Sequence, residues 1–498
     1  MEYALLMAAC ERQHVGRGWS RQRLLHECLR AAIRAGQLGA GTRLVATRVL
    51  AAELGVARNS VLYAYEQLAS EGYVVCDRRG TVVSTLPAQA PPARPPDGAA
   101  APQAGLARRA RALRQVTPQE NLDCAFVPGV PALAAFPLAL WRRMLERAWR
   151  ALPAERLNYG DPAGEAPLRA AIAGHLGAAR GVVCDAAQVF ITDGTQSSLD
   201  LCARSFADEG ELAWLENPGY GGALAACRGA GLAIAGIGVD DDGIAPTPHD
   251  WRRRPPRLIY TTPSHQYPTG GVLSLARRLA LIDNARAAGA LIIEDDYDSE
   301  FRHDGPPLPA MQGLVADAPV LYLGTFSKTM FPALRIGFIV VPAALAPGFA
   351  ALLAQSAARG RVAEQLALAE FLRSGQFALH LRRMRRLYRQ RRDALVAALL
   401  RHFGALATVH GGSAGMHLAL RLHGAGLDDI ALSAQAASLG IVAPALGAHA
   451  CAAGAGWNGF MLGYAQVPVE RVDAAVAELA ALVRAAVIAG PASSPSSR

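Results

Sequence analysis

Between residues 85 and 118 the chain loses every hydrophobic period. Leu86-Pro87-Ala88-Gln89-Ala90-Pro91-Pro92 opens a run of Pro, Ala and Gly that continues to Pro118. Such a run favours extended backbone and has no apolar face to bury, so it spaces folded units and belongs to none. Residues 1–84 and 119–490 must therefore each build a core of their own. A length of 498 residues agrees, because a single core stops growing well short of it. The Ser/Pro tail, 491–498, is expected to be disordered. No stretch reaches eighteen uninterrupted apolar residues, and the first ten residues, with Glu2, make a poor secretory signal. Eight cysteines stand scattered with no C-x-x-C pair, which indicates reduced thiols rather than metal or disulfide spacing. A soluble cytoplasmic protein is expected, with no membrane partner.

Residues 20–84 read as three short helices and a hairpin. Leu24, Leu25, Cys28, Leu29 and Ile33 share one face of the first helix, which Gly36 closes. Thr47 is placed to cap a second helix that Gly55 stops. Val61, Leu62, Tyr65 and Leu68 form the stripe of a third, and Gly72 ends it. Tyr73-Val74-Val75 and Thr81-Val82-Val83 then flank a basic tip with Arg78 and Arg79. The short break between helices two and three suits a helix-turn-helix. Arg58, Asn59 and Ser60 open the third helix, where side chains meet base edges. Arg43 and Arg48 suit phosphates at the second helix, and Arg78 and Arg79 suit them at the hairpin. A net charge of +9 is compatible with nucleic acid but weak evidence by itself. The plainer alternative is a solvated charged face.

Beyond the spacer, helical and strand patterns alternate, which indicates α/β architecture with a mostly parallel sheet. Six strands are expected, around Val189–Ile191, Leu212–Leu215, Leu258–Tyr260, Leu291–Ile293, Val320–Tyr322 and Phe338–Val341. Polar residues follow them, where open α/β sheets bind ligands. Gly194, Thr195 and Gln196 make a turn into a helix whose first amides can take a phosphate. Tyr220 could lie on a flat cofactor or simply pack. The run Glu294 to Glu300 puts carboxylates directly behind an apolar strand. Buried, they need a partner such as a protonated ring nitrogen; otherwise they form a hydrated loop.

Lys328 is the only lysine, against forty-nine arginines. A guanidinium supplies positive charge but cannot condense with an aldehyde; a primary amine can. Either composition left one stray surface lysine, or Lys328 forms a Schiff base with pyridoxal phosphate, with Arg335 placed to clamp the phosphate.

Two resemblances follow from these residues. Gly41-Thr42-Arg43-Leu44, Thr47-Arg48, Leu54 to Val61, Ala64-Tyr65 and Glu71-Gly72-Tyr73 resemble a GntR-type winged helix-turn-helix. Val45-Ala46 departs from the family's Pro-Ser, losing a hydroxyl that could touch a phosphate. The ordered set Gly194-Thr195-Gln196, Tyr220, Pro268-Thr269-Gly270, Asp295/Tyr297, Ser327-Lys328 and Arg335 resembles the site of class I/II aminotransferases. With Asn158 to Pro162 and Thr262 to Gly270, the whole is similar to MocR-type regulators, which join the two domains. That resemblance implies a fold type I domain with a smaller C-terminal α+β subdomain. It also implies a head-to-tail homodimer and pyridoxal phosphate bound to Lys328. Asp295 is then the partner of the pyridine nitrogen, Tyr297 of the phenolic oxygen, and Tyr220 the stacking ring. Thr195, Gln196, Thr325, Ser327 and Arg335 hold the phosphate, and Tyr159 approaches the phosphate of the neighbouring subunit.

Three departures bear on activity. Tyr267 replaces the Asn that aminotransferases use to contact the cofactor oxygen, a change MocR-type proteins share. No Arg occurs between Arg421 and Arg471, where a substrate carboxylate is normally held near Met461. Gly221-Gly222-Ala223-Leu224 also lacks the Arg of amino-acid-sensing relatives. Arg359 or Arg361 is left as a substitute. The resemblance thus implies a regulator that binds double-stranded operator DNA and senses an amine, an amino acid or pyridoxal phosphate itself. A transaminase half-reaction is compatible with it. The alternative is an active aminotransferase with an accessory DNA-binding domain.

Overall fold

Ser20 accepts a hydrogen bond from the Arg23 amide and so starts helix α2, Arg21–Arg34, in the computed structural model of the chain. The structure describes residues 3–13, 18–78, 80–85, 105, 107–111, 123–305, 308–356, 360–424, 426–451 and 456–489. They fall into two units, Met1–Gly105 and Leu106–Arg498. Most of the expected spacer and all of the tail lie outside the described residues. Within the spacer, Arg108–Arg111 forms a helical turn, for which no periodicity argued.

In the first unit, α2, α3 (Thr47–Leu54) and α4 (Arg58–Ser70) enclose a core that includes Leu25, Leu29, Leu50, Val61 and Leu68. Gly55 takes the left-handed conformation that ends α3 (φ 61°). Thr47 does not cap α3. Ala46 holds that place without a side-chain bond, and Thr47 is the first helical residue. The unforeseen helix α1, Tyr3–Gln13, adds Tyr3, Met7 and Cys10 to the same core. Strands β1 (Val74–Asp77) and β2 (Gly80–Val83) pair from Val74↔Val83 to Asp77↔Gly80, so the wing turn is tighter than a four-residue tip.

In the second unit, eight strands form one sheet. They are β3 (Val189–Thr192), β4 (Leu212–Asn217), β5 (Ala233–Asp240), β6 (Gly243–Ile244), β7 (Leu258–Thr261), β8 (Leu291–Asp296), β9 (Val320–Thr325) and β10 (Gly337–Val340). Their order is β3-β10-β9-β8-β7-β4-β5-β6. The pairings β5–β4–β7–β8–β9 are parallel, whereas β10 runs against both neighbours and β6 against β5. All six expected strands are present. β5 was not anticipated, because alternating Ala and Gly dilute the apolar signal of Ile234, Ile237 and Val239. Burial on both faces explains the unbroken apolar runs of β7 to β9.

The smaller subdomain is an antiparallel sheet of β11 (Ala407–His410), β12 (His417–Leu422) and β13 (Gly459–Gly463). The helices Gln376–Phe403 and Val469–Ala489 belong with it and pack against each other. Among the described residues no helix is long and apolar enough to cross a membrane. The segments leaving the C-terminal ends of β3, β4, β7, β8 and β9 carry the site residues.

Candidate functional site

Lys328 stands three residues beyond β9, half-buried in a cavity lined by Gly129, Thr195, Tyr220, Tyr267, Asp295 and Tyr297, among others. Its Nζ donates to the Gly129 carbonyl at 2.7 Å. A Cβ at Gly129 would lie 2.8 Å from that nitrogen, so the close approach needs glycine. Burial holds the amine below its ordinary pKa, against the opposing pull of Asp298 and Asp295. A stray surface lysine is thereby excluded.

Asp295 ends in the same cavity with 3 % of its surface exposed. Tyr260 donates to its Oδ2 at 2.8 Å, and among the described residues Oδ1 has no hydrogen-bond partner. Burial pushes this carboxyl up to about 7. The rest of the acidic run is no hydrated loop. Glu294 accepts the amides of Met311 (2.9 Å) and Gln312 (3.1 Å). Asp296 takes Arg180 at 2.8 Å and the Tyr322 hydroxyl at 2.6 Å. Asp298 lies beside His265 Nδ1 at 3.1 Å and accepts the Met416 amide at 3.2 Å.

At the other end of the cavity, Gly194 (φ 94°) begins the helix Thr195–Phe206, leaving first-turn amides for an anion. A Cβ there would meet the Arg335 guanidinium at 3.2 Å. Arg335 donates to the Asp193 carbonyl at 2.6 Å. Thr325 and Ser327 are buried beside Lys328; Thr325 Oγ1 accepts the Ser327 amide at 3.2 Å, and Ser327 Oγ has no partner. Gln196 is exposed and spends its amide on the Gly222 carbonyl at 3.0 Å.

Tyr220 and Tyr267 meet edge to face, with ring centres 5.3 Å apart. Tyr297 lines the cavity, but its hydroxyl lies 2.9 Å from the His265 carbonyl oxygen and 3.1 Å from Nδ1. Tyr159 is 90 % exposed and does not line the cavity of its own chain. Four contributors escaped sequence reasoning: Tyr260, His265, Asp298 and His417. Tyr260 closes an apolar strand and reads as core. His265 and Asp298 sat inside runs singled out for other residues, and nothing near His417 marked it.

Pyridoxal phosphate presents an aldehyde, a ring nitrogen and a phosphate. The cavity offers a desolvated amine and a buried carboxylate oxygen lacking a donor, and next to Thr195 on its wall stands a glycine cradle against the Arg335 guanidinium. The residues fit the group.

In the first unit Arg43, Arg48, Arg58, Asn59 and Arg78 are exposed and Ser60 is half-buried. Arg58 opens α4, with its Nε 3.5 Å from Thr47 Oγ1. Arg79 lies outside the described residues.

The sequence profile of class I and II aminotransferases matches residues 136–453, and that of bacterial regulatory proteins of the gntR family matches residues 23–83. The probable rhizopine catabolism regulatory protein MocR of Rhizobium meliloti is 43 % identical over 410 residues, spanning 82 % of this chain and 83 % of that protein. The chain belongs to the MocR-type regulators. Another relative of this MocR-type chain is the pyridoxine biosynthesis transcriptional regulator PdxR of Corynebacterium glutamicum. It is 34 % identical over 372 residues, spanning 74 % of this chain and 76 % of that one. Among solved structures, LysN, an alpha-aminoadipate aminotransferase of Thermus thermophilus, superposes with a TM-score of 0.68 at 29 % identity. It covers 77 % of the MocR-type chain and 98 % of its own.

Among the described residues lining the Lys328 cavity of the MocR-type chain there is no arginine. Met461 is buried with Ala419 and Leu446, and Tyr267 and Trp457 pack against them. Arg361 donates to the carbonyls of Leu334 (3.0 Å) and Arg335 (2.6 Å) and pairs with Asp193 at 3.3 Å, away from the lining of the Lys328 cavity. Arg359 lies outside the described residues.

Proposed function

We propose that this MocR-type chain is a cytoplasmic transcription regulator that uses pyridoxal phosphate at Lys328 to sense a small molecule rather than to turn one over. Its winged unit binds double-stranded operator DNA, and two chains act as a head-to-tail homodimer. When bound, pyridoxal phosphate supplies an aldehyde that condenses with primary amines and a ring that withdraws electrons. Lys328 offers the amine that holds it. Asp295 would keep a proton on the ring nitrogen, Tyr220 and Tyr267 would enclose the ring, Gly194, Thr195, Ser327 and Arg335 would hold the phosphate, and Tyr297 would partner the phenolic oxygen.

The observation that carries this reading is a desolvated lysine in a cavity that, among the described residues, has no arginine in its lining to take a substrate carboxylate. Losing a bidentate partner for a carboxylate typically costs a hundredfold or more in affinity, which disfavours an ordinary aminotransferase. The named roles of two relatives, in rhizopine catabolism and pyridoxine biosynthesis, support an amine or the cofactor itself as effector. The effector shifts DNA binding only by its differential affinity for two arrangements of the protein.

Borohydride reduction of the cofactor-loaded full-length chain tests this. Peptide mapping should place the label on Lys328 alone, and K328R should carry none. Many rounds of amino transfer per site would instead establish the enzyme.

A further inference from the structure

Of the charged residues lining the Lys328 cavity, Lys328 and Asp295 are committed to the cofactor; Asp298 remains, and no arginine is among them. Asp298 is 1 % exposed, and while its Oδ2 faces His265 Nδ1 and the Met416 amide, its Oδ1 has no partner among the described residues. His417, 2 % exposed, lines the same cavity; the Pro268 carbonyl holds one of its nitrogens, and among the described residues Nε2 has no partner. A neutral imidazole that donates through one nitrogen presents a lone pair at the other. Burial keeps His417 neutral, reinforced by His265, whose ring centre is 4.5 Å away, and by His449 and Lys328. This wall therefore holds two buried acceptors, one of them anionic, and wants protons.

We infer that the site selects primary amines bearing a second hydrogen-bond donor, a hydroxyl or another amine, with Asp298 and His417 as the residues that set this choice. The inference rests on the sensor reading above. A carboxylate brings no donor and would meet Asp298 without a counter-cation. A hydroxyl or ammonium supplies what both acceptors lack, and leaving such acceptors unpaired weakens binding.

Four three-carbon probes differing only at one end provide the test: propylamine, 3-aminopropan-1-ol, 1,3-diaminopropane and 3-aminopropanoate. Each is titrated into the cofactor-loaded full-length chain while the cofactor absorbance is followed. The amino alcohol and the diamine should act at concentrations about tenfold lower than propylamine, with 3-aminopropanoate weakest. The relative response to the two donor probes separates a hydroxyl from a second amine as the natural group. H417F should erase the amino-alcohol advantage, and H417Q, which restores an acceptor, should keep much of it.

Propylamine matching the amino alcohol, 3-aminopropanoate acting most tightly, or no response to any probe would overturn the inference. So would a response abolished by a chelator and restored by zinc. His265, Asp298 and His417 place possible metal ligands within 4.8 Å of one another, and such a response would make the wall a cation site. A wild-type chain that binds no cofactor overturns the sensor reading, and this inference with it. A cofactor-loaded chain indifferent to the series overturns the inference alone.

Discussion

Tyr260 donates its phenolic proton to Asp295 Oδ2 at 2.8 Å, across adjacent parallel strands, while Asp295 Oδ1 stays buried without a donor. One hydrogen bond does not compensate a carboxylate for leaving water, and its folded pKa of about 7 records the deficit. An unfolded aspartate titrates near roughly 4. The folded chain therefore holds this proton more tightly. Stability from the group is full below the unfolded value and is lost as pH rises toward 7. Asp295→Asn removes the charge and most of this dependence. Cofactor-free D295N should exceed wild type by on the order of 2–4 kcal/mol above pH ~7, with the gap closing toward pH ~4. Urea unfolding across that range checks it. Glu294, also near 7, is common to both proteins and cancels. The same variant should bind pyridoxal phosphate more weakly, because the stability sacrificed at Asp295 is what the ring nitrogen recovers.

Its neighbour Asp296 has a charged partner instead. Arg180 holds it at 2.8 Å and reaches Ser264 at 2.6 Å, with a further bond to the Leu308 carbonyl. Both partners are buried. Removing one member of such a pair strands the other, so Arg180→Leu should cost about 3–5 kcal/mol. The double variant R180L/D296L should recover part of that loss, since no charge is then left alone. Denaturant midpoints of the four proteins close the cycle.

These two aspartates show how far sequence reasoning reaches. The run of carboxylates behind an apolar strand read either as buried charge needing partners or as a hydrated loop, and the lone Lys328 either as a Schiff-base amine or as a stray surface residue; burial decides both. Which carboxylate gets which partner depends on residues far along the chain. Arg180 precedes Asp296 by 116 positions, and Gly129 precedes Lys328 by 199. Apolar runs and periods located helices α2 to α4 and the two wing strands of the first unit and all six strands expected in the second, but not β5, β6 or β11 to β13. β5 was lost because its Ala and Gly dilute the signal of Ile234, Ile237 and Val239, and the Thr47 cap because the helix begins one residue earlier than the hydroxyl suggested. His417 comes from another subdomain, and nothing local could tie it to Lys328.

Gly194 tests the phosphate end without touching a charge. Its φ of 94° is one that side chains rarely adopt, and an added Cβ would sit 3.2–3.3 Å from three atoms of Arg335. Gly194→Ala must either flatten the turn or displace the guanidinium. Either change should weaken pyridoxal phosphate binding by about tenfold or more, an effect of roughly 1–3 kcal/mol. Spectral titration of the cofactor-free chain measures it. Unchanged affinity would remove Gly194 and Arg335 from the phosphate cradle.

The DNA-binding face separates two kinds of arginine. Arg58 opens α4, the helix that by position reads base edges, whereas Arg78 stands exposed beside the turn of the β1–β2 wing. A base contact carries specificity and a phosphate contact carries salt dependence. Arg58→Ala should therefore cost about 1–3 kcal/mol on the operator and much less on unrelated duplex. Arg78→Ala should weaken both alike and lower the slope of log affinity against log salt by about 1. Fluorescence anisotropy at several salt concentrations, with operator and scrambled duplexes, distinguishes them. If the two variants lose affinity in the same pattern, α4 is not the reading helix.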